Sequence, residues 1–228
     1  HFSPTPYTGG LVLSLTFLFI VFITDYDNKY INLVLSFSLL IAITGLIDDK
    51  YNVNPGTKLI LQTLPIFLLI DNNFYLDDLG YYEYFGKIQL GSFAKVFTIL
   101  CCLLLINAFN YSDGLDGLVT SITVIAIGSL IVYSNLIDKN QDNEYLLLIC
   151  VPFIFFLIFN FGLIKNFKIF LGDSGSNLIG FIISFLSIYS YKEIGLHPSL
   201  IIWPLGYIVF EFLSVNLLRI LNNKKIFK

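Results

Sequence analysis

Apolar residues fill long stretches of this chain, and short polar breaks separate them. Eight apolar runs can be traced, at residues 9–24, 31–47, 57–70, 92–109, 115–136, 145–163, 175–190 and 199–221. A helix needs about 20 residues to cross the hydrocarbon core of a bilayer perpendicularly. The shorter runs reach that length when their ends extend into the membrane interface, where tyrosine is common. The pattern therefore predicts an all-α fold, a polytopic membrane bundle of about eight transmembrane helices.

The longest polar break, residues 71–91, contains several tyrosines together with Gly80 and Gly86. We predict a small hairpin there. No internal repeat and no Pro- or Ser-rich linker divides the chain, so we expect a single transmembrane domain over residues 1–228. The sequence has no Met, not even at position 1, and we expect this domain to be truncated at both ends.

Composition supports a membrane protein and excludes several other classes. Hydrophobic residues make up 56% of the chain and charged residues only 13%, whereas about a quarter of a soluble domain is charged. Cys101, Cys102 and Cys150 all lie inside apolar runs, which predicts neither a disulfide framework nor a metal cluster. No phosphate-binding P-loop and no Gly-x-Gly-x-x-Gly motif occurs. We expect no nucleic-acid partner.

The polar breaks fall on two sides of the membrane if successive runs alternate in direction. One side carries eight basic residues and the other five, so the positive-inside rule makes the first side cytoplasmic. Ten acids are scattered over the other side. The acids on the basic side all lie in compact clusters at predicted helix ends, and they are Asp48, Asp49, Asp113, Asp116 and Asp173. Ionisable residues at membrane depth are costly, so this clustering predicts a functional site.

Each cluster also has a structural interpretation. Asp173 could cap the helix that begins beside it. Asp113 and Asp116 could complement the start of the following helix, although their i, i+3 spacing puts both on one helical face and a cap needs only one acid.

Asp48 and Asp49 end an apolar run, where the helix dipole disfavours negative charge. Two adjacent carboxylates there need a positive partner, which could be a divalent cation, Lys50 or Lys58.

Five carboxylates on one face suggest a Mg²⁺ site that handles phosphate. Mg²⁺ takes hard oxygen ligands, often one or two carboxylates with substrate phosphate oxygens and waters. It would neutralise a pyrophosphate and stabilise a leaving phosphate. Backbone N–H groups at the helix start near Gly172 and Gly175 could also contact anionic oxygens.

Five stretches in order along the chain carry a resemblance to a known family. They are residues 4–10 (PTPYTGG), 45–50 (GLIDDK) with Lys58 and Gln62 after it, 107–117 (NAFNYSDGLDG), 170–176 (FLGDSGS) and 211–215 (EFLSV). At these stretches the chain resembles the polyprenyl-phosphate N-acetylhexosamine-1-phosphate transferases, or glycosyltransferase family 4. This family includes the initiating GlcNAc-1-phosphate transferases of bacterial surface polysaccharides and the MurNAc-pentapeptide translocase of peptidoglycan synthesis.

The resemblance implies a reaction and its location. It implies Mg²⁺-dependent transfer of a HexNAc-1-phosphate from a UDP-sugar to undecaprenyl phosphate, with release of UMP. The lipid-linked product would initiate an envelope glycan such as lipopolysaccharide or peptidoglycan, and we favour a polysaccharide-initiating member. The expected location is the bacterial cytoplasmic membrane with the active site on the cytoplasmic face, and the family also allows a homodimer.

The resemblance also implies residue roles. Asp173 and Asn110 match Mg²⁺ contacts. The implied catalytic acids are Asp48, Asp49, Asp113 and Asp116. Asp48 and Asp49 resemble an acidic pair near the lipid phosphate, one of which would serve as a general base. A phosphate monoester is already mostly ionised at pH 7, so positioning could matter more than deprotonation.

The implied substrate-binding residues are Lys58, Gly114, Leu115 and Phe170. Lys58 would contact phosphate, and the other three, with Asp116, correspond to a uridine-binding region. Family members also have a helix before the first motif and a His-rich motif beyond residues 224–228. We therefore expect the parent protein, rather than this piece, to be active.

Other classes and residues fit less well. A cation transporter is the main alternative, but its acids are expected near the bilayer midplane on broken helices. A CDP-alcohol phosphotransferase would need a denser Asp-Gly repeat, and a structural protein would not need clustered carboxylates. We interpret Asp77 and Asp78 as a solvated loop, His197 as an interfacial loop residue and Glu211 as a polar contact facing the bundle.

Overall fold

A computed structural model describes residues 6–24, 28–138, 143–164 and 167–223. Pro4 and Thr5 of the first motif lie outside the described residues, as do residues 224–228.

Helices dominate the described chain, in the order that the apolar runs predict. They are α1 (Gly9–Ile23), α2 (Lys29–Tyr51), α3 (Pro55–Asp71), α4 (Ala94–Ser112), α5 (Leu118–Leu136), α6 (Asn143–Asn160), α7 (Gly172–Tyr189), α8 (Pro198–Ile202) and α9 (Gly206–Leu221). A two-stranded antiparallel hairpin, β1 (Asp78–Tyr82) and β2 (Gly86–Gln89), joins α3 to α4. The predicted hairpin in residues 71–91 is therefore confirmed.

Five helical segments of the described chain are long and apolar enough to cross a membrane. They are Lys29–Tyr51, Gly91–Ser112, Leu118–Leu136, Asn143–Asn160 and Pro198–Leu221. Helix α1 is apolar but shorter. The predicted all-α membrane bundle is confirmed, since the described helices pack around one another and most expose apolar side chains outward.

The last apolar run differs from the prediction of one continuous helix. It divides into α8 and α9 at a 3₁₀ turn over Trp203–Leu205. Pro204 lies inside this turn and has no N–H for a continuous helix to use.

Helix α7 is the centre of the bundle. It packs against α1, α2 and α4, and from Ser174 to Tyr189 almost every side chain is buried. A helix buried on nearly all sides is surrounded by the other helices of the bundle. Its first turn lies at the end of the bundle that carries the acidic clusters.

Glycines let the neighbouring backbones touch α7. A Cβ atom on Gly45 of α2 would lie 2.3 Å from the Cα of Ser174, and one on Gly180 of α7 would lie 2.5 Å from the Cα of Ile106 in α4. Gly10 of α1 meets the α7 backbone in the same way. Small residues of this kind allow close helix approach in membrane bundles, where packing and hydrogen bonding drive association.

One ion pair and one hydrogen bond tie the hairpin to the chain after α7, and a second ion pair joins its two strands. Lys192 pairs with Asp77 at 2.9 Å, Lys87 pairs with Asp78 at 2.9 Å, and the Tyr191 hydroxyl also donates to Asp78. The Asp78 side chain is only 13% exposed. The interpretation as a solvated loop is therefore wrong for Asp78, which lies in β1 and is largely buried. It holds for Asp77, whose side chain is 55% exposed in the loop before β1.

The close contact at Gly45 predicts a large effect of a single methyl group. Gly45→Ala should lower the stability by about 1–3 kcal/mol, because its Cβ would overlap the α7 backbone, which cannot move as a flexible side chain could. The apparent melting temperature of the purified protein measures this.

Gly128→Ala is the matched control, since a Cβ at Gly128 in the middle of α5 would meet nothing within 4 Å. Alanine is the better helix former, so this variant should be as stable as the parent or slightly more so. Equal melting temperatures for the two variants would contradict the close approach of α2 and α7.

Candidate functional site

The structure brings the five acids of the predicted clusters to one end of the bundle. Asp48 and Asp49 lie in the last turn of α2, Asp113 and Asp116 follow α4, and Asp173 lies in the first turn of α7. Two adjoining cavities, of about 770 Å³ and about 310 Å³, open between these elements, and Asp49 and Asp173 line both.

Lys58 of α3 lies at the centre of the larger cavity. Its Nζ atom is 2.6 Å from Oδ2 of Asp48, 2.9 Å from Oδ2 of Asp173 and 3.1 Å from Oδ1 of Asn110. The side chain is only 16% exposed. The positive partner that the sequence required for Asp48 is therefore Lys58, and the same ammonium group joins α2, α4 and α7.

The short turn between α2 and α3 places Lys58 opposite Asp48. Asn52 ends α2 in the left-handed conformation, with φ of 49°, and Asn54 caps α3 by accepting a hydrogen bond from the Thr57 N–H at 2.9 Å. Oδ1 of Asp48 accepts from the Val53 N–H at 3.0 Å. These local bonds fix the turn and with it the first turn of α3, from which Lys58 projects.

Asp49 supplies the cap of α7. Its two carboxylate oxygens accept hydrogen bonds from the backbone N–H groups of Asp173 at 3.1 Å and Ser174 at 3.3 Å. A negative charge at a helix N-terminus is favourable. The interpretation of Asp173 as the cap is wrong, because α7 begins at Gly172 and Asp173 projects from its first turn towards Lys58. The sequence also suggested that backbone N–H groups at this helix start contact an anionic ligand. Those of Asp173 and Ser174 donate to Asp49 instead.

Asn110 has a fixed orientation near the end of α4. Its Nδ2 atom donates to Oγ of Ser176 at 2.8 Å, so its Oδ1 atom faces Lys58. The amide oxygen is thus directed into the same space as the carboxylates of Asp48 and Asp173.

Asp113 and Asp116 lie in a turn. The prediction that both share one helical face is wrong, because α4 ends at Ser112 and residues 113–117 connect it to α5. Gly117 ends this turn with φ of 75° and donates its N–H to Asn160 Oδ1 at 2.5 Å. Neither acid caps α5 by a side-chain hydrogen bond. Asp116 instead pairs with Lys168.

The smaller cavity holds the residues that the resemblance assigns to uridine. Gly114, Leu115 and Phe170 line it, and Leu115 is 68% exposed at its rim. Tyr7 and Asn160 also line it, and the Tyr7 ring lies 5.4 Å from that of Phe170. No role was predicted for either residue. Two features of the sequence could have suggested one: Tyr7 lies within the motif at residues 4–10, and Asn160 is an isolated amide in an apolar run.

The far wall of the larger cavity comes from α4 and α9. Tyr111, Asn216 and Arg219 line it, and the Arg219 guanidinium lies 5.4 Å from the Tyr111 ring centre. Arg219 is one of the eight basic residues on the predicted cytoplasmic side, and the sequence predicts no other role for it. Glu211 accepts a hydrogen bond from Ser112 Oγ at 3.3 Å, which confirms the predicted polar contact within the bundle.

The donor set at Lys58 suits a hard cation. Among the described residues, no group of three His, Cys, Asp or Glu side chains is arranged as a ready-made metal site. Two carboxylate oxygens and one amide oxygen nevertheless converge on the Lys58 ammonium group. Carboxylate and amide oxygens are the protein ligands that Mg²⁺ accepts, usually with waters and substrate phosphates completing its shell. The residues present therefore fit Mg²⁺.

Asp113 is the acid of this end whose charge is least compensated. Burial, followed by the negative charges of Asp173, Asp116 and Asp49, raises the pKa of Asp113 to about 7. Among the described residues no basic side chain forms an ion pair with it. This carboxyl group therefore gains or loses its proton near neutral pH.

The raised pKa of Asp113 predicts a pH-dependent stability. Between its ordinary value of 3.8 and about 7, the folded protein keeps a proton that the unfolded chain has lost. Stability must therefore fall as the pH rises through this interval and level off above it. We expect the apparent melting temperature in EDTA to fall between about pH 4 and about pH 7, and Asp113→Asn to reduce this fall.

Asp138→Asn makes the same chemical change at an exposed carboxylate beyond the other end of α5. It should leave the pH dependence unchanged. If the fall in melting temperature were as large in Asp113→Asn as in the parent, other groups would be its source.

Comparison with known proteins assigns the family. A model of glycosyl transferase family 4 matches residues 30–191, a range that contains Asp48, Lys58, Asn110 and Asp173. The undecaprenyl-phosphate alpha-N-acetylglucosaminyl 1-phosphate transferase of Escherichia coli O157:H7 is 25% identical over 227 residues, covering 96% of this chain and 61% of that protein. The probable undecaprenyl-phosphate N-acetylglucosaminyl 1-phosphate transferase of Bacillus subtilis (strain 168) is 28% identical over 229 residues, covering 99% of this chain and 63% of that protein.

The chain thus spans about three fifths of the length of these curated relatives. The match nevertheless covers well over half of the chain and every acid that surrounds Lys58. The family resemblance seen in the motifs is therefore confirmed, and this chain belongs to glycosyl transferase family 4.

Proposed function

We propose that the complete protein transfers a HexNAc-1-phosphate from a UDP-sugar to undecaprenyl phosphate, with release of UMP. The observation that carries this proposal is the convergence of Asp48, Asn110 and Asp173 on one cationic point between two adjoining cavities. The names of the relatives, which are undecaprenyl-phosphate N-acetylglucosaminyl 1-phosphate transferases, support it.

Mg²⁺ is the cofactor in this proposal, and Asp173 and Asn110 would hold it. When bound, it would neutralise the pyrophosphate of the nucleotide sugar and stabilise the departing UMP. Lys58 lies within reach of the same oxygens and would turn its ammonium group towards a substrate phosphate. The protein thereby positions two phosphate-bearing substrates around fixed charges, which is the main contribution to phosphoryl transfer.

The two acids of α2 differ in what they can do. Both oxygens of Asp49 accept backbone N–H groups of α7, so Asp49 holds that helix in place. Asp48 contacts Lys58 directly, and we assign to it the side nearer the acceptor phosphate. An acceptor phosphate is already largely ionised at neutral pH, so the role of Asp48 is to orient Lys58 and the attacking oxygen.

The smaller cavity is the proposed nucleotide subsite. Phe170 and Leu115 offer apolar surface to a base, and Gly114 and Asp116 lie beside them. Asp113 lines this cavity together with Asp49 and Asp173, and its carboxylate would add negative charge to the site where a divalent cation would be held.

The cellular setting is also a proposal. The clustered acids would face the cytoplasm of a bacterium, where UDP-sugars are made, and the lipid-linked product would initiate an envelope polysaccharide. A homodimer is compatible with the apolar outer faces of the helices.

A transfer assay tests the function. Membranes that contain the complete protein would receive undecaprenyl phosphate, Mg²⁺ and a panel of labelled UDP-HexNAc donors. We expect label in the lipid fraction and released UMP, with loss of both in EDTA. Asp173→Asn should reduce transfer by about 100-fold or more, because it removes a charged ligand from the proposed metal site.

Asp138→Asn provides the control, as the same substitution at a remote exposed position, and should transfer at the parent rate. Absence of transfer with every donor, from protein shown to be folded, would contradict the proposal. Cation flux in the same vesicles would then favour a transporter.

A further inference from the structure

Each of three functional side chains has a polar partner about one helical turn deeper in its own helix. We call Lys58, Asn110 and Asp173 the functional tier. The amide tier consists of Gln62, Asn107 and Asn177. Residues three or four apart lie on the same face of a helix, so the two tiers are stacked along α3, α4 and α7.

The amide tier repeats the connections of the functional tier. Gln62 Nε2 donates to Asn177 Oδ1 at 3.2 Å, and Asn107 Nδ2 donates to Gln62 Oε1 at 3.0 Å. In both tiers the side chain from α3 is in the middle and contacts one residue of α4 and one of α7. Gln62 and Asn177 have no exposed surface.

Side chains of the two tiers connect α3 to α7. Helix α7 packs closely on α1, α2 and α4, and α3 packs on α2 and α4, whereas α3 and α7 have little backbone contact. Among the described residues, the side-chain hydrogen bonds between α3 and α7 are Gln62–Asn177 and Lys58–Asp173. A slip of α3 by one residue, about 1.5 Å in rise and 100° in rotation, would break both pairs together.

Stability alone does not explain amides at this depth. Nδ2 of Asn177 is buried and has no hydrogen-bond partner in the part of the chain that the structure describes. A buried donor without a partner is unfavourable, and apolar side chains at all three positions of the tier would avoid that cost. Buried polar contacts of this kind can serve to select one arrangement of helices over others.

We propose that the amide tier is a positioning device for the reaction. It sets the rotation and axial register of α3 against α4 and α7, and so holds the oxygens of Asp173 and Asn110 around Lys58. Gln62 is its central positioning residue, acting through Lys58 rather than on a substrate. The consequence for transfer rests on the proposed function, whereas the geometric consequence for Lys58 does not.

The first test measures the chemical reactivity of the Lys58 amine in the absence of substrate and metal. The complete protein in detergent is treated with an amine-acetylating reagent, and mass spectrometry gives the rate at Lys58 relative to that at the exposed Lys50 in the same molecule. Gln62→Met keeps the side-chain length but removes both hydrogen bonds. We expect the relative rate at Lys58 to rise several-fold, because its oxygen partners are no longer held in place.

Leu69→Ala is the matched control. Leu69 lies on α3 about two turns beyond Gln62, is also fully buried, and has no part in the amide tier. This variant should melt at a lower temperature yet keep the parent reactivity of Lys58. An unchanged Lys58 rate in folded Gln62→Met, or an equal rise in Leu69→Ala, would overturn the proposal.

Transfer kinetics provide the second test. Gln62→Met should lower kcat by about 10- to 100-fold, the usual effect of losing a side chain that orients a metal-site residue, with a smaller change in KM for the UDP-sugar. Leu69→Ala should keep kcat near the parent value. If the parent protein transfers no sugar, the proposed function fails, and the acetylation rates still decide whether the amide tier positions Lys58.

A variant that removes all three amides distinguishes an effect on the position of Lys58 from an effect on the stability of the protein. Replacing Gln62, Asn107 and Asn177 all by Leu leaves no amide unpaired, so stability should largely recover relative to Gln62→Met. Lys58 should remain reactive, because apolar contacts do not fix the register. A return of Lys58 to the parent reactivity together with stability would assign the tier a purely structural role.

Discussion

The capping of α7 by Asp49 is the contact on which the rest of this structure depends. Helix α7 occupies the centre of the bundle, and its first turn emerges where water, metal and phosphate would meet protein. Its leading N–H groups would lack partners without a nearby acceptor, and α2 supplies one from 124 residues away in sequence. Capping of this kind contributes about 0.5–2 kcal/mol. Its larger effect is to fix the end of α2 against the start of α7, which also requires glycine at position 45.

Charge balance at this end follows from that arrangement. With Asp49 and Asp173 held next to each other, Asp48 needs Lys58, and Lys58 then bonds Asp173 and Asn110 as well. Lys168 compensates only Asp116. Burial, together with the surrounding negative charges, raises the pKa of Asp113 to about 7. The carboxylates of this cluster thus outnumber the ammonium groups that pair with them, which suits a divalent cation that arrives with an anionic substrate.

Much of the fold could be predicted from hydrophobic periodicity alone, because membrane helices must be long and apolar. The hairpin and the positions of the acidic clusters could also be predicted from the sequence. The capping role of Asp49 could not, because a cap supplied by a different helix leaves no pattern in the sequence near the capped helix. The turn at Asp113 and Asp116 was missed because α4 ends at Ser112 and Asp113 already has non-helical backbone angles (φ of −77°, ψ of 49°), so the i, i+3 rule for helices does not apply to this pair. The amide tier could have been noticed, since Gln62 and Asn107 are polar residues at helical spacing from Lys58 and Asn110 within apolar runs.

The central lysine has a consequence for how the site assembles. Sites built only from metal ligands often fold together with their metal, because unpaired ligand charges repel one another until the ion binds. Here the Lys58 ammonium group already draws the oxygens of Asp48, Asn110 and Asp173 together. These oxygens, which include those of the proposed ligands Asn110 and Asp173, are therefore held together by a protein cation alone. Catalysis by fixed charges requires groups that need not reorganise during the reaction. In the proposed reaction, Lys58 would order the resting site in this way and would then turn towards a substrate phosphate.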